Sequence, residues 1–210
     1  MSTATILASA LLALPFYPEV EAATSEVRPA ADFQSIEFRG AGQLTVAAGQ
    51  PSSVTVTTDG GALSDITTTV RHGVLVIERK GSSWHTGTPG SVEVAVSLPT
   101  LRRLTLTGAT QAEVAGLAGG RTTLVTTGAS RLRVQGSVDA LVTQVEGASQ
   151  VDLTRLTAGS IDLDVGAAAQ VALPARTPLA ASRDSVGSLT NADRMDRRMQ
   201  STIGGSRILR

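Results

Sequence analysis

The chain has 210 residues, with 18 basic and 18 acidic side chains, 41% hydrophobic residues, 2% aromatics and no cysteine. Balanced charge and scarce rings argue against a nucleic-acid surface, which needs a basic face and stacking side chains. The missing cysteine excludes disulfides, thiolate metal sites and thiol catalysis. His72 and His85 are the only imidazoles, so a His-rich zinc centre is not expected and no cofactor is implied. A single lysine, Lys80, stands against seventeen arginines, which reads as genomic composition bias rather than a phosphate site. With so few rings, the core must be built from Val, Leu, Ile, Ala and Thr, side chains that suit thin layers of strand. The 21 glycines are spread along the chain and point to many turns.

Residues 1–22 read as a secretory signal. The apolar run over 6–16, ILASALLALPF, is followed by Pro18, and Val20-Glu21-Ala22 supplies the branched and small residues of a cleavage site. No Lys or Arg precedes the run, and a buried amino-terminal helix is the alternative. The run is too short to span a bilayer comfortably, and no cysteine follows it to carry a lipoprotein anchor. The signal places the protein outside the cytoplasm, in the periplasm, secreted or at the cell surface, with no transmembrane span once it is removed. Residues 23–31, with Pro29, alanines and charges, read as a tether ahead of a single domain over 32–210.

Strand signals begin at Phe33. Ile36 and Phe38 alternate with polar residues, Gly40-Ala41-Gly42 turns, and Leu44 and Val46 continue the alternation. Val54 and Val56 follow the Pro51-Ser52 break. His72-Gly73 fits a tight hairpin turn between residues 65–71 and 74–78. Short paired strands are therefore expected over 33–80. Residues 81–91 form a polar, Gly-rich loop holding Trp84 and His85, and Val92, Val94 and Val96 resume the alternation.

From there a phrase recurs: GATQAEV from Gly108, GASRLRV from Gly128, GASQVDL from Gly147 and AAAQVAL from Ala167, with a glycine one step early at Gly166. GAGQLTV at Gly40 is an outlying copy, and GGSRILR at Gly204 closes the chain. Starts at 108, 128, 147 and 167 give a period of about 20 residues, the mark of a solenoid. Counting from each start, the fourth residue (Ala112, Leu132, Val151, Val171) and the sixth (Val114, Val134, Leu153, Leu173) are apolar and two apart, so they share one face of a strand. Gln111, Arg131, Gln150 and Gln170, and Glu113, Arg133, Asp152 and Ala172, fall on the other face. Leu104/Leu106, Leu124/Thr126, Thr143/Val145 and Val165 form a second inward set before the turns. The pattern predicts an all-β, right-handed parallel β-helix or β-solenoid with coils of about 20 residues. The coils are regular over about 101–180, and a divergent terminal coil over 181–210 is sealed by Ile203 and Ile208. Gly40, Gly108, Gly128, Gly147, Gly166 and Gly204 mark its corners. A β-sandwich is the alternative, but it demands no register between repeats.

The pattern Phe33-x-x-Ile36, then Val92-x-Val94-x-Val96-x-Leu98-Pro99-x-Leu101-x-x-Leu104-x-Leu106-x-Gly108, then serial Gly-Ala-Ser units, resembles the bacterial head GIN domain family. That family is described as autotransporter-adhesin heads, a domain of unknown function. The resemblance covers about residues 32–210 and implies an extracytoplasmic β-helix-like fold with no catalytic residues to carry over. This chain has Gly-Ala-Ser or Gly-Ala-Thr where family members usually show Gly-Ser-Gly.

Three constellations could carry chemistry. Asp162 and Asp164, two apart on one strand, share its outward face. A 20-residue coil would set Asp164 between Gln144 and Asp184, with Glu146 nearby. Carboxylates so placed could bridge a cation or a sugar hydroxyl, or serve a glycosidase; a solvated strand face is the simpler reading. Glu113, Arg133 and Asp152 alternate in sign across coils and should pair structurally and fix register. Trp84 with His85 could stack on a sugar or touch a protein, or the indole could fold back onto the amino-terminal strands. Ser130, Ser149 and Ser206 read as turn formers rather than nucleophiles. The functional expectation is a cell-envelope module for binding, adhesion or structure. Its flat polar face would suit a glycan or an envelope protein, and self-association by stacking of its ends is also open. The alternative is a carbohydrate-active enzyme using Asp162, Asp164 and Asp184.

Overall fold

A computed structural model describes residues 23–59, 63–79, 91–166, 168–174, 179–182, 188–191 and 208–209. The strands are β1 (Thr24–Arg28), β2 (Ser35–Ala48), β3 (Ser53–Thr58), β4 (Ile66–Arg71), β5 (Val74–Arg79), β6 (Val92–Leu98) and β7 (Arg103–Ala118). They continue with β8 (Arg121–Gly128), β9 (Arg131–Gly147), β10 (Gln150–Val165), β11 (Gln170–Leu173), β12 (Leu179–Ser182), β13 (Ser188–Asn191) and β14 (Ile208–Leu209). Apart from one 3-10 turn over Leu63–Asp65, no helix occurs among the described residues, so none there is long and apolar enough to cross a membrane.

All fourteen strands join one open sheet. From β7 onward each pairing is parallel and displaced by about one repeat. Gln111 pairs with Arg131, Arg131 with Gln150, and Gln150 with Gln170. A second parallel ladder runs beside the first, with Leu104 against Leu124, Leu124 against Thr143, and Thr143 against Leu163. β2 joins both ladders to the amino-terminal strands, pairing with β7 across the whole span from Ser35 to Ala47.

The short paired strands expected at the amino end include three antiparallel pairs, β1–β3, β3–β6 and β4–β5, so the sheet as a whole is mixed rather than a purely parallel β-helix. The β4–β5 hairpin turns at His72 and Gly73, at φ 51° and 74°, the two positive values of a type I′ turn. The tether reading of residues 23–31 is also corrected. Thr24–Arg28 form β1, and the Arg28 guanidinium bonds the carbonyls of Leu63 (2.8 Å) and Ile66 (3.2 Å). Backbone pairing, that side chain and a bond from the Thr57 hydroxyl to the Ser25 hydroxyl (3.1 Å) hold the strand, not an apolar stripe; its Val27 is 69% exposed. The predicted signal over residues 1–22 lies outside the described residues.

The inward columns meet in a single core. Leu132, Val151 and Val171 of the first ladder and Leu104, Leu124 and Leu163 of the second are all buried. Each such side chain stabilises the fold by about 1.5–3 kcal/mol relative to exposure. A unit of about 20 residues could not enclose these side chains alone; the neighbouring copies complete the core.

The recurring phrase is a packing device. Gly108 pairs with Gly40, Gly128 with Gly108, and Gly147 with Gly128, so the four glycines stack. At Gly128 φ is 110°, and an added Cβ would lie 2.5 Å from the Gly108 carbonyl oxygen. Only glycine tolerates both conditions. Two residues on, Thr110, Ser130 and Ser149 are buried. Their hydroxyls donate to Gly40 (3.2 Å), Gly108 (3.0 Å) and Gly128 (3.2 Å) respectively, each on the preceding strand of the stack. The fourth copy departs from this. Gly166 sits in the bend after β10 without a left-handed φ, and Ala168 takes φ 62° instead. Gly204 and Ser206 lie outside the described residues.

Candidate binding face

Alternation that turns apolar residues inward turns an equally regular polar row outward. Gln43, Gln111, Arg131, Gln150 and Gln170 stand in register on five neighbouring strands. Thr45, Glu113, Arg133, Asp152 and Ala172 form the row beside them. At about 4.8 Å between strands, the first row is about 19 Å long. Toward the amino end it continues through Glu93, Thr57 and Ser25.

Three adjoining depressions open on this face and converge on Arg133. The largest, about 340 Å³, is lined by Glu113, Arg133, Gln135, Asp152, Thr154 and Arg155. One of about 220 Å³ lies between Arg131, Gln150, Asp152 and Gln170, and one of about 210 Å³ between Gln43, Thr45, Gln111 and Glu113. Both also reach Arg131 and Arg133.

The predicted charge ladder is present as a register: Glu113 pairs with Arg133, and Arg133 with Asp152. Among the described residues, however, the ion pairs are formed by Arg28 with Glu26 and by Arg39 with Glu37 and Glu78, and none by these three. Asp152 is engaged locally instead. Its Oδ1 accepts the Thr154 hydroxyl at 2.6 Å and the Thr154 amide at 3.0 Å. Those bonds, with smaller help from the Arg133 and Arg155 charges, hold its carboxyl below the ordinary 3.8. Arg131, itself exposed, donates through Nε to Gln150 Oε1 at 3.2 Å.

Asp162 and Asp164 are exposed, as expected, but on the outer side of the other ladder. Their strand neighbours are neutral: Val142 and Ala180 flank Asp162, and Gln144 and Ser182 flank Asp164. The expected stacking of Asp184 on Asp164 is thus corrected, because β12 pairs eighteen residues on rather than twenty. Among the described residues no three acidic or imidazole groups gather to hold a metal ion. Asp184, Trp84 and His85 lie outside the described residues.

Arg155 was not visible as a partner of this face in the sequence. Between Asp152 and Arg155 the β9–β10 register shifts by one, which sets Arg155 opposite Gln135. The extra residue of a bulge re-aims the side chains beyond it. The only signal was the spacing itself, 19 residues between the Gly128 and Gly147 phrases where the neighbours have 20.

A family model described as "putative auto-transporter adhesin, head GIN domain" matches residues 32–192. The chain belongs to that family. Among solved structures, this head GIN domain is similar to a putative adhesin from Parabacteroides distasonis, with TM-score 0.65 and 21% identity over 81% of this chain and 70% of the other. It is also similar to a putative adhesin from Bacteroides fragilis, with TM-score 0.62 and 12% identity over 81% of this chain and 88% of the other. At these identities the likeness concerns the fold. No curated protein matches the chain. The match runs from just ahead of β2 to just beyond β13, and β1 lies outside it.

Proposed function

We propose that this head GIN domain is an extracytoplasmic, adhesin-like binding module that presents the Gln43–Gln170 face to a partner at the cell surface. In this reading the two parallel ladders are the sides of a right-handed β-solenoid. Residues 1–22 are a signal, and the mature protein is one domain over 32–210 preceded by β1. The observation that carries the reading is the in-register polar row crossing five strands, with three adjoining depressions along it. Core packing needs only the inward columns, and cross-strand pairs such as Arg131 with Gln150 add only modestly to stability, which leaves the outward row available to a ligand. The names borne by the family and by the similar structures agree with a surface-binding role.

The test is glycan-array and envelope-fraction binding by the mature chain and by Gln111→Trp. That substitution places bulk in the row beside its central Arg131 without changing its charge. Binding by the parent that is lost in Gln111→Trp, with an unchanged melting curve, supports the reading. Binding that survives Gln111→Trp shows that another surface acts, and release of sugar product from a polysaccharide would overturn the binding-only role.

A further inference from the structure

The chemistry of the face narrows its ligand. Three guanidiniums, Arg131, Arg133 and Arg155, share the depressions with two carboxylates, Glu113 and Asp152, a local excess of one positive charge. None of the three arginines is in an ion pair among the described residues, and Asp152 is occupied by Thr154. A guanidinium holds a carboxylate through two parallel bonds, a geometry that a lysine cannot offer. The flanking glutamines carry amides that both donate and accept, which matches hydroxyl groups along a chain. No ring stands in these rows, and the one exposed large hydrophobic side chain among the described residues, Val27, lies at the far amino-terminal edge. Protein interfaces centre on Trp, Tyr and Arg anchors; this face has the arginines but no ring, and its amides are made for hydroxyls rather than for an apolar partner. The depressions adjoin across strands and stay open rather than closing into one pocket, a form that fits a polymer lying along the row.

We propose that the face binds a linear glycan bearing carboxylates, with Arg131, Arg133 and Arg155 gripping acid groups at its centre and Gln43 and Gln111 on one side and Gln150 and Gln170 on the other holding hydroxyls. This rests on the binding-module reading above and specifies its ligand. The experiment is affinity electrophoresis of the mature chain in gels holding polygalacturonate, its fully methyl-esterified form or poly-glutamate. Polygalacturonate should retard the protein, less so as salt rises because screening weakens charged contacts. The neutral ester should not. Arg131→Gln and Arg133→Gln should each weaken retardation by about tenfold, the scale of one charge-assisted contact, with unchanged circular dichroism and melting. Asp164→Asn, on the other ladder, should leave retardation unaltered.

Equal retardation by the ester, or none by polygalacturonate, overturns the carboxylate assignment. Retardation by poly-glutamate as strong as by polygalacturonate overturns the glycan assignment in favour of an acidic protein. Gln111→Trp separates these failures from failure of the face. Loss of ester binding in that variant leaves the face as the site with a neutral ligand; retardation by any of the polymers that persists in it removes the face altogether.

Discussion

The hydroxyl of Ser149 donates to the carbonyl of Gly128, 3.2 Å away, on the neighbouring strand of the glycine stack. It also lies 3.2 Å from the Glu146 carbonyl, and it faces the Ser130 amide at 3.4 Å. Ser149 is fully buried, so no water can replace it if the hydroxyl is removed. Ser149→Ala should therefore cost about 1–2 kcal/mol, read as a lower denaturant midpoint with unchanged slope. Since the serine is sealed inside, the same variant should bind its ligand normally. A midpoint equal to the parent's would show that the Gly-Ala-Ser unit does not depend on its hydroxyl.

A stacked glycine and an unstacked one separate two costs that are usually confounded. Gly120 and Gly128 both have left-handed φ, 73° and 110°, but an added Cβ meets nothing within 4 Å at Gly120 and lies 2.5 Å from the Gly108 oxygen at Gly128. Gly120→Ala carries conformational strain alone, about 1 kcal/mol. Gly128→Ala adds a collision between two backbones that both belong to the ladder, for about 3 kcal/mol or more in total. Thermal melts of the pair check this; equal losses would mean that the strands separate freely at the corner.

Much of this architecture is legible in the sequence, and the parts that are not have physical reasons. Columns such as Ala112, Leu132, Val151 and Val171 are readable because a strand alternates its faces strictly, and every residue of that column is buried. β1 is invisible because it is held by backbone groups, Arg28 and the Ser25 hydroxyl, which leave no apolar periodic trace. Counting by 20 set Asp184 beside Asp164, where the shorter connection into β12 brings Ser182. The same counting hid Arg155, which a bulge realigns. Spacing predicts a ladder well where repeats are equal, and fails by one or two residues where a single insertion or deletion is absorbed between strands. The candidate face was legible as a polar row, but its grouping of three arginines required the register.

Two buried threonines test the cost of an unpaired hydroxyl in this core. Thr143 is fully buried and its Oγ1 has no partner, whereas Thr122, nearly as buried, donates to the Leu101 carbonyl at 3.2 Å. Valine has almost the same shape as threonine. Thr143→Val should stabilise the protein by about 1 kcal/mol by removing a stranded polar group. Thr122→Val should destabilise it by about as much, since it strands a carbonyl. Opposite shifts in melting temperature are the expected signature, and shifts of the same sign would contradict it.

Acid should loosen the face before it unfolds the chain. The Thr154 hydroxyl and amide, and then the Arg133 and Arg155 charges, lower the Asp152 pKa from 3.8. A carboxyl depressed on folding contributes stability that is present above its unfolded value and is lost as pH falls through its folded one, so the window lies below 3.8. Asp152 is only slightly buried, and solvent screening keeps the effect on global stability small. The local effect is larger, because protonation weakens the bonds that fix Thr154 beside Arg155 in the largest depression. Asp152→Asn should reproduce the acid behaviour at neutral pH: a nearly unchanged melt, a flatter acid limb of stability, and faster amide exchange at Thr154. An acid limb identical in parent and variant would show that Asp152 titrates no differently in the folded chain than in the unfolded one.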